Sequence, residues 1–197
     1  MVARLVRFES YTGCDMNQPE SLLDPLDQFY LASGNPIPMA RRTEGKDIPE
    51  PFRSLLVHEG DMTPRLEAAC GQRIHLRIIS RKLEGDLMLR QVVLVRDSDE
   101  GPVEFGAIRI RLEYLPPEAR QMVLDCRLPL GRVLHDFFIQ HLSQPVAYFE
   151  LTADSLIRQA LQTDFDQHLY GRRNKLLLPS GKVFAEVVEI LPPAEAF

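Results

Sequence analysis

Three consecutive strand-like runs between residues 74 and 114 most limit what this chain can fold into. Residues 74–80 and 87–95 are rich in branched and long apolar side chains, and the acidic, glycine-containing segment between them favours a hairpin. Residues 103–114 alternate, with isoleucines on one face and Arg109 among the charged residues of the other. Short turns join antiparallel neighbours, and the alternation predicts that one side of this sheet meets water.

The rest of the chain predicts helices inserted between strands, which is typical of the α+β class rather than of repeated βαβ units. Thr63 is a candidate cap for a helix over 64–70, and Gly71 a candidate stop. Pro116 and Pro117 end the third run and open another helix. That helix begins at about residue 118, and a second one follows residues 127–132 and runs to about 142. The remaining predicted elements are helices at 22–32 and 154–162, a strand at 146–150, and a closing hairpin of 171–178 with 183–191.

Length and composition indicate a single globular domain. The chain has 197 residues, of which 45% are apolar and 26% charged, close to the averages for globular proteins. We expect residues 1–54 to form an N-terminal wrapping segment with one short helix, and residues 55–197 to form the globular unit. No stretch has the apolar length of a signal peptide or a membrane span, so the sequence predicts a cytoplasmic protein.

Charge and motif content exclude several classes of function. The net charge of -5 argues against a nucleic-acid partner, which usually meets a basic face. The cysteines are odd in number and far apart, so we expect reduced thiols and neither a disulfide framework nor a zinc site. The histidines lack metal-ligand spacing, and no hydrolase, phosphate-loop or dinucleotide motif is present. No metal or organic cofactor is predicted.

Arg90 is the residue that stands out on physical grounds. It alternates with Met88, Val92 and Leu94, so a guanidinium lies on an otherwise apolar strand face. Burial without a partner would cost several kcal/mol, so Arg90 should meet a carboxylate of the protein or of a ligand. The alternatives are a structural salt bridge and an edge-strand arginine that reaches water.

Two glutamates of the last strand are candidate acids. Glu189 and Glu186 have opposite parity, and each shares its face with apolar residues, so alternation does not choose between them. A carboxyl on an apolar sheet face has a raised pKa and can donate a proton near neutral pH, while a nearby arginine lowers that pKa.

Two further features are consistent with an anionic ligand but have simpler explanations. The backbone N–H of Leu130 would be unpaired if Pro129 opened a helix, although proline followed by glycine also marks an ordinary helix start. The basic run 172–175 could attract an anion, but positive charge at a strand edge is commonly a solvated face, and that is the interpretation we favour.

Four short motifs occur in an informative order: Asp61-Met62-Thr63-Pro64-Arg65-Leu66-Glu67, Leu89-Arg90-Gln91-Val92-Val93-Leu94, Pro129-Leu130-Gly131-Arg132 and Leu169-Tyr170-Gly171-Arg172-Arg173-Asn174. In order and approximate spacing they resemble the chorismate lyase family, over about residues 55–193. The resemblance implies an antiparallel sheet of about six strands whose helices and helical flaps enclose an internal ligand cavity. It also implies conversion of chorismate to 4-hydroxybenzoate and pyruvate without metal or organic cofactor.

The same resemblance assigns roles residue by residue. Arg90 matches the arginine that grips the ring carboxylate, and Met62 and Leu130 match residues whose backbone amides help to hold that group. Glu189 matches the acid at the far end of the ring, with Glu186 as its substitute because the hairpin near Ser180 shifts by one residue against the family pattern. The chain is thus predicted to be a chorismate–pyruvate lyase, with Arg90 and Glu189 catalytic and chorismate or a related aromatic acid as its partner.

A binding module is the competing interpretation. The same fold resembles the effector domains of some transcription regulators, in which a small acid is sensed and not converted. Such domains normally follow a helix-turn-helix, for which residues 1–60 contain too little helical pattern. The segments 34–51 and 144–162 look longer than in the compact bacterial enzyme, which also leaves open a lyase that acts on a related aromatic acid.

Overall fold

A seven-stranded antiparallel sheet forms the centre of the protein. The computed structural model describes residues 21–163 and 167–197, and the strand order is β1-β5-β6-β7-β4-β3-β2. The α+β prediction is confirmed. The strands are β1 (Ala40–Thr43), β2 (Ile74–Glu84), β3 (Leu87–Arg96), β4 (Pro102–Arg111), β5 (Leu142–Thr152), β6 (His168–Leu177) and β7 (Val183–Ile190).

The additional strand lies in a segment expected to be irregular. β1 pairs with the outer edge of β5, from Ala40 opposite Leu151 to Thr43 opposite Tyr148. Its four residues carry no strong local pattern, so the pairing depends on the edge that β5 presents. β5 itself is 11 residues long, and the sequence predicted only its middle.

The helices cover both faces of the sheet. α1 (Asp27–Ser33) and α6 (Ser155–Leu161) pack on one face, in a cluster with Val93, Phe105 and Val188. The opposite face carries α2 (Phe52–Leu56), α3 (Met62–Cys70), α4 (Pro117–Asp125) and α5 (Leu130–Asp136), which contact it through two separate apolar clusters.

The prediction that one side of the sheet meets water is wrong. Arg109 Nη2 lies 2.5 Å from Asp24 Oδ1 and its Nη1 lies 2.8 Å from Glu186 Oε2, so this arginine is ion-paired under the N-terminal segment. Polar alternation was correct in period, but residues before α1 supply a carboxylate that allows the charged face to be covered.

Several helix ends differ from the predictions for local reasons. α3 begins after Asp61 rather than after Thr63, and it ends at Gly71, whose φ of 64° is left-handed, as expected of a helix stop. α5 ends at Asp136 and not at about residue 142, which is instead the first residue of β5. α6 begins as predicted, with the Asp154 side chain accepting from the N–H of Ile157.

Part of the predicted N-terminal segment, residues 1–20, lies outside the described residues, as does Cys14. The division at residue 54 stays a prediction. Within residues 21–163 and 167–197, no helix is both long and apolar enough to cross a membrane.

Candidate functional site

Strand register places the two predicted charged residues on the same face of the sheet. Along one row of paired residues Arg90 lies opposite Ile108, Ile108 opposite Val187, and Val187 opposite Asn174. The next row of this face joins Val92, Gly106, Glu189 and Arg172. Paired residues project to the same side, so Arg90 and Glu189 share a face, with Cα atoms about 12 Å apart from two strand spacings and one two-residue step.

A cavity of about 70 Å³ lies over this face, between the sheet and the starts of α3 and α5. Met62, Arg90, Leu130 and Glu189, the four residues predicted from the sequence, all line it. The structure therefore brings them together, while the role of each stays a prediction. The other lining residues are mainly apolar, with a few polar ones: Asp61, Thr63, Leu76, Val92, Leu94, Glu104, Ala107, Ile108, Pro129, Gly131, Arg172, Asn174, Leu176, Val187 and Val188.

Arg90 is buried and has no counter-ion among the described residues. Its relative exposure is 1%, and its Nε and Nη1 atoms have no hydrogen-bond partner among the residues described. Burial lowers the pKa of the guanidinium, and the Cys126 thiol partly opposes that shift. An arginine stays charged at neutral pH even so. Neither alternative from the sequence, a protein carboxylate or contact with water, is observed for it in the described part of the chain.

Arg172, in contrast, is fully occupied by the protein. Its Nε donates to Glu189 Oε2 at 2.5 Å, and its Nη atoms donate to the carbonyl oxygens of Leu56 at 3.2 Å, His58 at 3.1 Å and Gly60 at 3.4 Å. It is 0% exposed, so the solvated-face interpretation of the basic run is wrong. The ion pair holds Glu189 in place, and the three carbonyls fix the loop after α2 against the cavity.

Glu104 is a cavity residue that the sequence analysis missed. It lies opposite Leu94 and two residues before Gly106, so it projects from the same face as Glu189. Burial raises the pKa of its carboxyl well above the ordinary 4.5; the neighbouring Glu189 charge adds to this rise and Arg172 opposes it. Its Oε2 atom has no hydrogen-bond partner in the described residues. Extending the alternation from Ile108 back along β4 was the available signal.

Glu186, the substitute acid, lies on the other face. Its carboxylate pairs with Arg109 at 2.8 Å and is 3.6 Å from Arg173 Nη2, beside Asp24. The parity that the sequence left open is therefore decided by the pairing of β7 with β4, which directs Glu189 to the cavity and Glu186 away from it.

The rim of the cavity is tied together by a histidine that the sequence did not single out. His141 Nε2 lies 2.9 Å from Asp61 Oδ1, and its Nδ1 lies 2.9 Å from the carbonyl oxygen of Ile139. Asp61 raises the pKa of His141, although partial burial opposes the shift. Asp61 precedes α3, so this contact joins α3 to the segment before β5.

The starts of α3 and α5 approach each other closely at the cavity. A Cβ on Gly131 would lie 3.2 Å from Thr63 Oγ1 and 3.6 Å from the Cβ of Asp61. Met62 and Leu130 each lie in the first turn of their helix, where backbone N–H groups have no intrahelical acceptor. No group of three or more potential metal ligands occurs within the described ranges.

Comparison with known proteins identifies the fold. No family model matches the sequence, and no curated protein matches it. The effector domain of PhnF from Mycobacterium smegmatis is similar with a TM-score of 0.53 at 11% identity, covering 68% of this chain and 89% of that one. A structure of PhnF from the same organism has a TM-score of 0.53 at 11% identity and covers 88% and 95%. At this identity the likeness shows a shared fold, so the chain has the α+β fold of the PhnF effector domain.

The prediction of a chorismate–pyruvate lyase is wrong. The finding that overturns it is that the structures sharing the fold are PhnF and its effector domain. A fold does not determine an activity, because one fold can carry either catalysis or binding. The resemblance was therefore correct for the fold and gave the wrong activity.

Proposed function

We propose that this chain is a non-catalytic domain that binds a compact organic acid in the cavity beneath α3 and α5. A single observation carries the proposal: Arg90 is 1% exposed, and two of its nitrogens lack a partner among the described residues. A buried cation without a counter-ion lowers stability by several kcal/mol. A ligand carboxylate on Arg90 would remove that penalty, and the planar guanidinium can bind both oxygens at once.

The surroundings of Arg90 favour an acid with an apolar body. Val92, Ile108 and Val187 lie beside or across from it on the same face, and Leu130 lines the cavity from α5. In such surroundings the ion pair is screened little by water, so each contact to the carboxylate gains strength. The Met62 and Leu130 amides, which the family resemblance assigns to the same carboxylate, would complete its hydrogen bonds.

The size of the cavity limits the ligand. A volume of about 70 Å³ is well below that of sites for drug-sized molecules, which are roughly 300–1,000 Å³. The ligand we propose is therefore a short aliphatic acid or an acid with a single ring, and a ring acid would need α3 and α5 to move outward slightly.

A thermal-shift titration with levulinate, benzoate and 4-hydroxybenzoate tests the proposal, because a ligand that binds the folded state raises the melting temperature with concentration. At least one acid should stabilise the wild type, and its uncharged methyl ester should not. Arg90→Met should weaken binding by at least about thirtyfold, since truncation of a buried charge pair costs roughly 2–5 kcal/mol.

Arg111→Met is the matched control, because Arg111 is an exposed arginine at the end of β4. It should bind like the wild type. Equal binding by the Arg90 variant, or no stabilisation by any of the acids at millimolar concentration, would contradict the proposal. Incubation with chorismate followed by a pyruvate assay should give no turnover above the uncatalysed rate.

A further inference from the structure

Two guanidinium groups border the cavity, but the protein's own acceptors occupy only one of them. Arg172 pairs with Glu189 at 2.5 Å and donates to three backbone carbonyls. Arg90 has no such acceptors on Nε or Nη1 in the residues described. The cavity therefore offers one free positive charge, which balances one ligand carboxylate and no more.

At the opposite end of the cavity, the residues that the structure describes place two carboxyl groups beside one cation, Arg172. Glu104 and Glu189 project from the same sheet face on the neighbouring strands β4 and β7, with Glu104 two residues from the partner of Glu189. Glu189 already pairs with Arg172. A second anion there would have no counter-ion of its own, so Glu104 is stable as the neutral acid, in agreement with the raised pKa that burial gives it.

A neutral Glu104 changes what this end of the cavity can recognise. Its Oε2 atom has no acceptor in the described part of the protein, and the side chain is 5% exposed and lines the cavity. A protonated carboxyl in this position donates one strong hydrogen bond. That hydrogen bond is available to a ligand oxygen in the cavity that Glu104 lines.

On the basis of the proposed function, we propose that the cavity selects acids that carry one carboxylate, held by Arg90, and an uncharged oxygen at the other end, to which Glu104 donates a hydrogen bond. Keto and hydroxy monocarboxylic acids fit this description. Dicarboxylic acids do not, because their second charge would be buried beside Glu189 with no cation left to balance it.

Two pairs of probes test the selection, since in each pair a methyl ketone is replaced by a carboxylate of nearly the same shape. They are levulinate with succinate and para-acetylbenzoate with terephthalate. Isothermal titration at neutral pH should show that the keto acid of at least one pair binds at least about tenfold more tightly than its dicarboxylate. Equal affinity for the keto acid and its dicarboxylate in both pairs would overturn the inference.

Variants of Glu104 distinguish a hydrogen bond donated by its neutral carboxyl group from an effect of filling the cavity wall alone. Glu104→Gln keeps an uncharged donor and should retain the preference. Glu104→Leu should weaken levulinate about tenfold, by loss of the hydrogen bond, and leave pentanoate, which lacks the ketone, unchanged. A Leu variant that binds both acids like the wild type would contradict the role of Glu104, as would a Gln variant that gains affinity for succinate.

These outcomes also distinguish the inference from the proposed function. If keto acids bind through Arg90 but without discrimination against dicarboxylates, the inference fails and the proposed function stands. If no probe binds, or if binding does not depend on Arg90, the proposed function fails and the inference fails with it.

Discussion

Replacement of Arg90 by methionine should make the unliganded protein more stable, because the buried guanidinium has no counter-ion among the described residues. The guanidinium is 1% exposed, and burial lowers its pKa because the charged form is disfavoured there. Methionine has a similar length and no charge. Exchanging buried charge for apolar side chains of similar volume stabilises proteins by about 1–4 kcal/mol, which for a chain of this length corresponds to a melting temperature higher by about 2–4 °C per kcal/mol.

Arg172→Met is the matched comparison and should have the opposite sign. It removes the same group from the same sheet face, but leaves Glu189 buried and unpaired and frees the carbonyls of Leu56, His58 and Gly60. Breaking a buried pair from one side typically destabilises by about 3–5 kcal/mol. Urea denaturation measures both free energies of unfolding without reference to activity. We expect the slope of unfolding free energy against urea concentration to be the same in the variants and the wild type.

The result that refutes this reasoning is a destabilised Arg90→Met variant. A loss of stability similar to that of Arg172→Met would mean that Arg90 stabilises the fold itself, and the case for a ligand carboxylate would lose its basis. An acid that binds should reverse the order of stability, since it raises the melting temperature of the wild type and not that of the Arg90 variant.

Three further outcomes follow from the site and its supporting strands. The folded state keeps a proton on Glu104 at pH values above 4.5, where the unfolded chain has released it, so the free energy of unfolding falls as pH rises. Urea titrations at a series of pH values should show a smaller fall for Glu104→Gln. Burial lowers the pKa of His58 from 6.5 to about 4, and the Arg172 charge adds to this shift. The folded protein is therefore less stable as pH falls from 6.5 to about 4, because the unfolded chain binds a proton there that folded His58 does not. The melting temperature of His58→Gln should depend less on pH over this range. Gly106→Ala should lower the free energy of unfolding by at least about 1–3 kcal/mol, because the added Cβ would lie 1.9 Å from the carbonyl oxygen of Val188, whereas Gly85→Ala, with open space around it, should show only the smaller cost of its left-handed backbone.

Local signals were sufficient for the elements that turn residues define. The hairpin between β2 and β3 turns at Gly85, whose φ is 57°, and α3 ends at Gly71, whose φ is 64°. The hairpin of β6 and β7 and the Asp154 cap of α6 have the same local origin. Each depends on residues within a few positions of one another, which sequence patterns record directly.

Burial that depends on strand order could not be predicted. The basic run of β6 resembled an exposed edge, yet β6 lies between β5 and β7, and Arg172, Arg173 and Asn174 are each at most 3% exposed. Position in the sheet is set by contacts between distant segments. The covered charged face has the same cause, because Asp24 reaches Arg109 across 85 positions of sequence.

The sequence identified Arg90 of the candidate site but not Glu104, for a related reason. Arg90 was identifiable because one charged residue interrupted an apolar alternation, and the pattern could state that it needs a partner. Glu104 interrupts β4 in the same way, but it lies near the strand's start, and only the alternation extended back from Ile108 indicates which face it occupies. A charge is recognised as misplaced only when the face it occupies is known.

The activity was not recoverable from the residues, and the reason is thermodynamic. An enzyme accelerates a reaction only through contacts that are stronger in the transition state than with the bound substrate. A pattern that brings Arg90, Met62, Leu130 and Glu189 around one cavity does not say at which stage of a reaction their contacts would strengthen. In this chain Glu189 is already held by Arg172 at 2.5 Å, and the unpartnered carboxyl oxygen belongs to Glu104 instead. The four residues by themselves therefore do not distinguish a lyase from a binding domain.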